Sequence, residues 1–187
     1  MPPRNVTVFL VGFSGSGKTT IGKQLSGLLH IPFVDIDKLI EQRTKTTISE
    51  IFETRGELYF RRLESRMLKE VAAKTSRGKI VAVGGGGFDT AANRRLMKKA
   101  GLTIYLSCAV DTLYRRLSEH TDRPLLDVAP RPGQTLREAR LERIRSLLDK
   151  RKPYYESADI RYTTTSVNPN TAAHELRDLI RKKYASN

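Results

Sequence analysis

Short apolar runs alternate along this chain with longer stretches of helical period. Val6-Thr7-Val8-Phe9-Leu10-Val11 is rich in β-branched residues and closes on a Gly/Ser turn, the pattern of a buried strand. From Lys18 to Leu29, apolar residues recur at Ile21, Leu25 and Leu28, which predicts a helix. Pro32-Phe33-Val34 reads as a short strand running into Asp35-Ile36-Asp37, where a second helix begins. Ile48–Phe52 predicts a brief helix, and Gly56 separates it from a long amphipathic one over about Glu57–Thr75.

The same alternation continues. Ile80–Val83 is strand-like and ends in Gly84-Gly85-Gly86-Gly87, followed by a helix over Thr90–Lys99, a strand over Leu102–Leu106 and a helix over Asp111–Leu117. Residues 119–133 carry two Arg-Pro pairs and little period, so they predict a loop. A helix from about Leu136 to Arg151 is expected to stop before Pro153, because the residue preceding a proline disfavours the helical region. Asp159–Thr163 is a last strand, and Thr171–Lys183 a closing helix. Five strands alternating with helices predict an α/β fold: a five-stranded parallel sheet with helices on both faces.

Composition narrows the function classes. A length of 187 residues suits one domain. The longest apolar runs fall far short of the roughly 20 residues a membrane span needs. The first residues show no signal-peptide pattern, so a cytoplasmic protein with no membrane partner is expected. A single cysteine, Cys108, allows no internal disulfide, and three scattered histidines suggest no metal cluster. The net charge of +14 points to an anionic partner, either a nucleic acid or a small phosphorylated or carboxylated ligand. The excess is spread over both halves, and its densest stretch, Arg137–Lys152, is interrupted by Glu138, Glu142 and Asp149. With aromatics at 7% and no tryptophan, a nucleic-acid partner is not expected.

The strongest chemical signal is Gly12-Phe13-Ser14-Gly15-Ser16-Gly17-Lys18-Thr19, which fits G-x-x-x-x-G-K-[ST] between a predicted strand and a predicted helix. Such a loop turns successive backbone N–H groups towards phosphate oxygens at a helix N-terminus. A nucleoside triphosphate site is therefore expected on Gly12, Gly15, Ser16, Gly17, Lys18, Thr19 and Thr20, with Lys18 reaching the β- and γ-phosphates and Thr19 ligating Mg²⁺. The strand that often supplies a second metal carboxylate ends here in glycines, a choice that makes sense where backbone must approach a ligand. Asp35 or Asp37, at the end of the second strand, is the natural substitute.

Beyond the P-loop, the ordered set Asp35-x-Asp37, Ile48-x-x-Ile51-Phe52, Gly56-Glu57-x-x-Phe60-Arg61-x-x-Glu64, Gly84-Gly85-Gly86, Arg123-Pro124-Leu125-Leu126 and Arg151-x-Pro153-x-Tyr155 resembles the shikimate kinase family, and it spans nearly the whole chain. The resemblance implies a single P-loop kinase domain over 1–187, with a substrate-binding region at about 35–64 and a mobile lid at about 118–133. It implies transfer of the γ-phosphate of ATP to the 3-hydroxyl of shikimate, a step towards chorismate and the aromatic amino acids, with Mg²⁺ as cofactor and a monomeric enzyme. Arg61 and Arg151 would bind the substrate carboxylate, which a guanidinium fork suits. By itself Arg61-Arg62 beside Glu64 would read as a solvated helix face. Asp37 would orient the attacking hydroxyl or accept its proton, although such a residue is equally suited to cap a helix. Asp35 would hold Mg²⁺ through water. Gly84, Gly85 and Gly86 would present N–H groups to the substrate. Phe52, Phe60, Pro124 and Leu125 would wall the ring, Arg123 would close over the phosphates, and Arg116 and the Asn168-Pro169 turn would border adenine.

Three departures from the family pattern stand out. Lys45 occupies a position where a glycine would end the helix, Gly87 replaces a small non-glycine residue, and Pro130-Arg131-Pro132-Gly133 looks inserted. A P-loop kinase for another hydroxy acid, such as gluconate, is the alternative within the same class, and a basic nucleic-acid-associated NTPase the alternative outside it.

Overall fold

Every residue of β1 (Thr7–Val11) is buried, because the strand is central and covered on both faces. The computed structural model describes residues 6–73, 77–119 and 128–185. After β1 come α1 (Lys18–Leu29), β2 (Phe33–Asp35), α2 (Ile36–Thr44), α3 (Ile48–Ala73) and β3 (Lys79–Ala82). Then follow α4 (Ala91–Ala100), β4 (Gly101–Ser107), α5 (Val110–Ser118), α6 (Leu136–Tyr155), β5 (Ile160–Thr163) and α7 (Pro169–Ala185). Among the described residues the strands form one five-stranded sheet in the order β2-β3-β1-β4-β5, parallel throughout. No described helix is long and apolar enough to cross a membrane.

Alternate residues of each strand serve opposite faces. Phe9, Val11 and Val81 pack with Ile36, Ile40, Phe60, Leu68 and Met97 of α2, α3 and α4. Val8, Leu10 and Ile104 pack with Leu25 of α1 and Leu176 and Ile180 of α7. Because all strands run the same way, the segments that follow β1, β2 and β3 emerge along one edge, where open α/β sheets bind ligands.

Several boundaries differ from the sequence expectation, each for a local reason. The helix expected to stop at Arg151 continues through Pro153 to Tyr155. Pro153 sits in the last turn, so its missing N–H removes only one terminal bond. Tyr155 holds that turn in place: its side chain is fully buried and stacks on Tyr105 with centroids 5.0 Å apart. The last helix begins at Pro169 rather than Thr171, since proline suits the first helical position and Asn168 Oδ1 accepts from Asn170 N–H at 2.8 Å. Ile48–Ala73 is continuous except at Gly56, whose φ of 77° breaks the helical path. Lys45 ends α2 in the left-handed region at φ 56°, its N–H donating to Glu41 O at 2.9 Å. A lysine thus makes the turn that glycine makes without strain. The Pro130–Gly133 stretch is a surface turn tied to α6, with Arg131 Nη2 3.1 Å and Gln134 Nε2 2.9 Å from the Glu142 carboxylate.

Candidate active site

The loop after β1 folds as the G-x-x-x-x-G-K-T spacing requires. Gly12, Gly15 and Gly17 all have positive φ, and a side chain on Gly12 would lie 2.6 Å from the Leu106 carbonyl. Lys18 Nζ donates to the carbonyls of Gly12 at 2.8 Å and Phe13 at 2.9 Å, which holds its ammonium over the loop. Thr19 Oγ1 donates to Asp35 Oδ2 at 2.8 Å, so the two residues expected to serve a metal are in direct contact. A hydroxyl and a carboxylate are hard oxygen donors and fit a cation that keeps much of its hydration. The helix cap proves to be Asp35, not Asp37. Asp35 Oδ1 accepts from the N–H groups of Asp37 at 3.1 Å and Lys38 at 3.4 Å, which leaves the Asp37 carboxylate free of capping.

A cavity of about 450 Å³ opens over this loop. Gly15, Gly17, Lys18, Thr19 and Thr20 line it together with Asp35, Asp37, Gly85, Arg116 and Pro169. Gly12 and Ser16 are not among its lining residues, and Ser16 is fully buried. Arg116 ties the cavity together, its Nη1 donating to Gly15 O at 3.1 Å and its Nη2 to Thr164 O at 2.9 Å. Cys108 is half-buried beside the same guanidinium, with Sγ 3.7 Å from Nη1. Arg123, Pro124 and Leu125 lie outside the described residues, as does half of the expected lid.

The glycines after β3 connect this cavity to the arginines. The space a side chain would take on Gly84 and Gly86 is filled by polar groups of the expected substrate site, and at Gly85 one lies in ordinary contact. At Gly84 a Cβ would lie 2.5 Å from Glu64 Oε1 and 2.7 Å from Asp37 Oδ1. At Gly85 the nearest atoms are Arg151 Nη1 at 3.4 Å and the backbone nitrogen of Ser14 in the P-loop at 3.7 Å. At Gly86 a Cβ would lie 2.5 Å from Arg61 Cζ. Gly87 is explained in the same way, since a Cβ there would lie 2.5 Å from Val83 Cγ1 and 3.0 Å from Glu64 Oε1. The glycine run is therefore a close-approach surface, on which Asp37, Arg61, Glu64 and Arg151 converge within reach of the P-loop.

Arg61 is not a solvated face residue. Its Nη1 donates to Glu64 Oε2 at 2.9 Å, and its Nε and Nη2 donate to Glu57 Oε1 at 3.2 and 3.0 Å. Its side chain is 26% exposed, and that of Glu64 only 1%. Phe52 and Phe60 pack together beneath it with centroids 4.8 Å apart, and the Arg61 guanidinium lies 5.2 Å from the Phe60 centroid. Phe60 belongs to the core, while Phe52 packs partly buried against it. Arg151 pairs through Nε with Asp89 Oδ2 at 3.1 Å. Tyr155, one turn further along α6, donates its hydroxyl to Gly85 O and fixes the turn between the two arginines.

Burial makes these carboxylates reluctant to ionise. The Asp37 pKa is raised by desolvation and by neighbouring Asp35, against the pull of Lys18 and Arg61. Glu64 is pushed up to about 7, mainly by desolvation and despite its pairing with Arg61. Asp37 Oδ1, Glu64 Oε1 and Asp89 Oδ1 are all buried without a hydrogen-bond partner. Unpartnered buried oxygens at one place are a common mark of a ligand site. The sequence did not single out Asp89, whose partner lies 62 residues away. Glu64 was visible only as part of a motif, although its i,i+3 spacing from Arg61 was the available signal.

Comparison with known proteins agrees with this geometry. The family model described as shikimate kinase matches residues 14–181. A shikimate kinase of Sulfurihydrogenibium sp. is 37% identical over 176 residues, covering 94% of this chain and 98% of that protein. One from Chlorobium chlorochromatii is 41% identical over 170 residues, covering 90% and 87%. The solved shikimate kinase from Acinetobacter baumannii in complex with shikimate superposes with a TM-score of 0.86 at 34% identity, covering 96% of each chain. With its P-loop, its Asp37 and its two half-buried arginines gathered on one glycine surface, the chain belongs to the shikimate kinase family.

Proposed function

We propose that this chain transfers the γ-phosphate of ATP to the 3-hydroxyl of shikimate, giving shikimate 3-phosphate and ADP. One observation carries the reading: Arg61, Arg151 and Asp37 converge on Gly84–Gly86 at the border of the P-loop cavity. Two guanidinium groups answer one carboxylate, and a single carboxylate beside them answers a hydroxyl. The complex of the Acinetobacter baumannii relative with shikimate supports this choice of substrate.

The residues divide the work. The P-loop N–H groups and Lys18 bind and orient the phosphates, and Thr20, Arg116 and Pro169 complete the nucleotide side. Arg61 and Arg151 hold the carboxylate, the glycine run lets the ring lie close to the backbone, and Phe52 and Phe60 support the arginine shelf. Asp37 orients the hydroxyl along the line of attack and takes its proton. Mg²⁺ would be held by Thr19 and Asp35 and supplies neutralising charge to the phosphates. Arg123, outside the described residues, would add positive charge from the lid during transfer.

The test is a coupled ADP-release assay with shikimate, gluconate and quinate offered separately. Only shikimate should support rapid, Mg²⁺-dependent release. Equal or faster turnover of gluconate would overturn the reading in favour of a different hydroxy-acid kinase.

A further inference from the structure

Asp89 has no part in the chemistry above, yet its placement is closely fixed. Its N–H donates to Gly86 O at 3.0 Å, and its own carbonyl accepts from Arg94 Nη1 at 2.6 Å. The residue is therefore tied at its N–H to the turn that carries the substrate surface and at its carbonyl to α4. From there Oδ2 reaches α6 and accepts from Arg151 Nε at 3.1 Å. The Arg151 side chain is only 15% exposed, and Asp89 Oδ1 is buried without a hydrogen-bond partner. A carboxylate that leaves one oxygen buried and unpaired bears a desolvation cost for the contact it does make.

The choice of nitrogen matters. A carboxylate that took both terminal nitrogens of the guanidinium would occupy its end-on fork and compete with a ligand there. Asp89 takes Nε instead, and Nη1 lies over Gly85, 3.4 Å from the place of its absent side chain. The aspartate grips the guanidinium from its stem side, and a terminal nitrogen faces the substrate surface.

We propose that Asp89 is a positioning residue for the substrate carboxylate, holding Arg151 by Nε so that Nη1 faces the glycine run. This rests on the reading of Arg151 as a carboxylate ligand and deepens it. Without Asp89 the side chain regains rotamer freedom that substrate binding must then remove. The loss should fall on KM for shikimate rather than on kcat, because the carboxylate keeps its charge through phosphoryl transfer.

The experiment compares shikimate with its methyl ester, which has no anionic carboxylate, in the intact enzyme and its Asp89 variants. Asp89→Ala should raise KM for shikimate about fivefold and leave kcat, KM for ATP and KM for the ester within about twofold. Asp89→Asn keeps an oxygen acceptor for Nε and should recover most of the loss. In an Arg151→Lys background the Asp89→Ala effect should vanish, since lysine offers no Nε–H edge. If Asp89→Ala fails to fold, Asp89→Ser, too short to reach Nε, takes its place with the same expectation. An unchanged or lowered shikimate KM in these variants, or an Asp89→Asn as impaired as Asp89→Ala, would overturn the proposal. An equal rise for the ester would also do so, by showing a merely structural role. Failure of the unmodified enzyme to phosphorylate shikimate would refute the substrate reading instead, so the two failures are distinguishable.

Discussion

Gly84→Ala adds one methyl group at the point where the substrate surface is tightest. Its Cβ would stand 2.5 Å from Glu64 Oε1 and 2.7 Å from Asp37 Oδ1, both buried and neither at the loose end of a surface side chain. Ordinary contact begins near 3.4 Å, so each oxygen must retreat by roughly 0.7–0.9 Å. Overpacking of this kind costs about 1–3 kcal/mol of stability. The larger effect should be chemical. Displacing Asp37, which aims the attacking hydroxyl, by roughly 0.7 Å lowers turnover by roughly 100-fold, and Glu64 cannot move without disturbing Arg61, to which it is bonded at 2.9 Å. The ADP-release assay should show kcat/KM for shikimate down by about two orders of magnitude. Nucleotide affinity measured without shikimate should stay nearly unchanged. Gly27→Ala is the matched control, because a Cβ there meets nothing within 4 Å inside α1. It should stabilise the protein by about 0.5–1 kcal/mol with full activity. A Gly84→Ala enzyme keeping more than about a third of wild-type kcat/KM would refute the close-approach argument.

Lys18→Ala should lower phosphoryl transfer by at least about 100-fold while calorimetric binding of shikimate without nucleotide persists, and retention of most activity would remove the P-loop from the chemistry. Glu64 carries a pH signature. In the unfolded chain it titrates near 4.5 and in the folded protein near 7, so the folded state holds the extra proton between these values. Its contribution is fully present below pH 4.5 and is lost as pH rises to about 7, by roughly 1–3 kcal/mol. Glu64→Gln should flatten the denaturation free energy across that window, and an unchanged slope would show that Glu64 ionises normally. Lys45→Gly relieves a left-handed residue at φ 56° and should stabilise the fold by about 0.5–1 kcal/mol, read as a rise in Tm of a few degrees.

Local signals carried most of the fold. The strands announce themselves because both faces are covered, so Val8, Phe9, Leu10 and Val11 must all be apolar. The P-loop is legible because its chemistry is local, needing consecutive residues with set backbone angles between a strand and a helix. The family resemblance carried by the ordered motif set implied that Asp37, Arg61 and Arg151 share one site. Tertiary contacts decided the rest. Proline 153 signalled the end of a helix, but the packing of Tyr155 on Tyr105 carried α6 one turn further. Nothing local distinguishes Arg61 on a solvated face from Arg61 against a buried Glu64, since the spacing is the same and only burial differs. The four glycines already suggested a close backbone approach, but which groups fill their missing side-chain space is visible only in the fold. Asp89 is the extreme case: its partner is 62 residues away on another element, and a charge pair made only by folding leaves no trace in periodicity or spacing. Sequence fixes what each segment prefers by itself, whereas the pKa values, the close approaches and the aim of the arginines depend on which segments the sheet brings together.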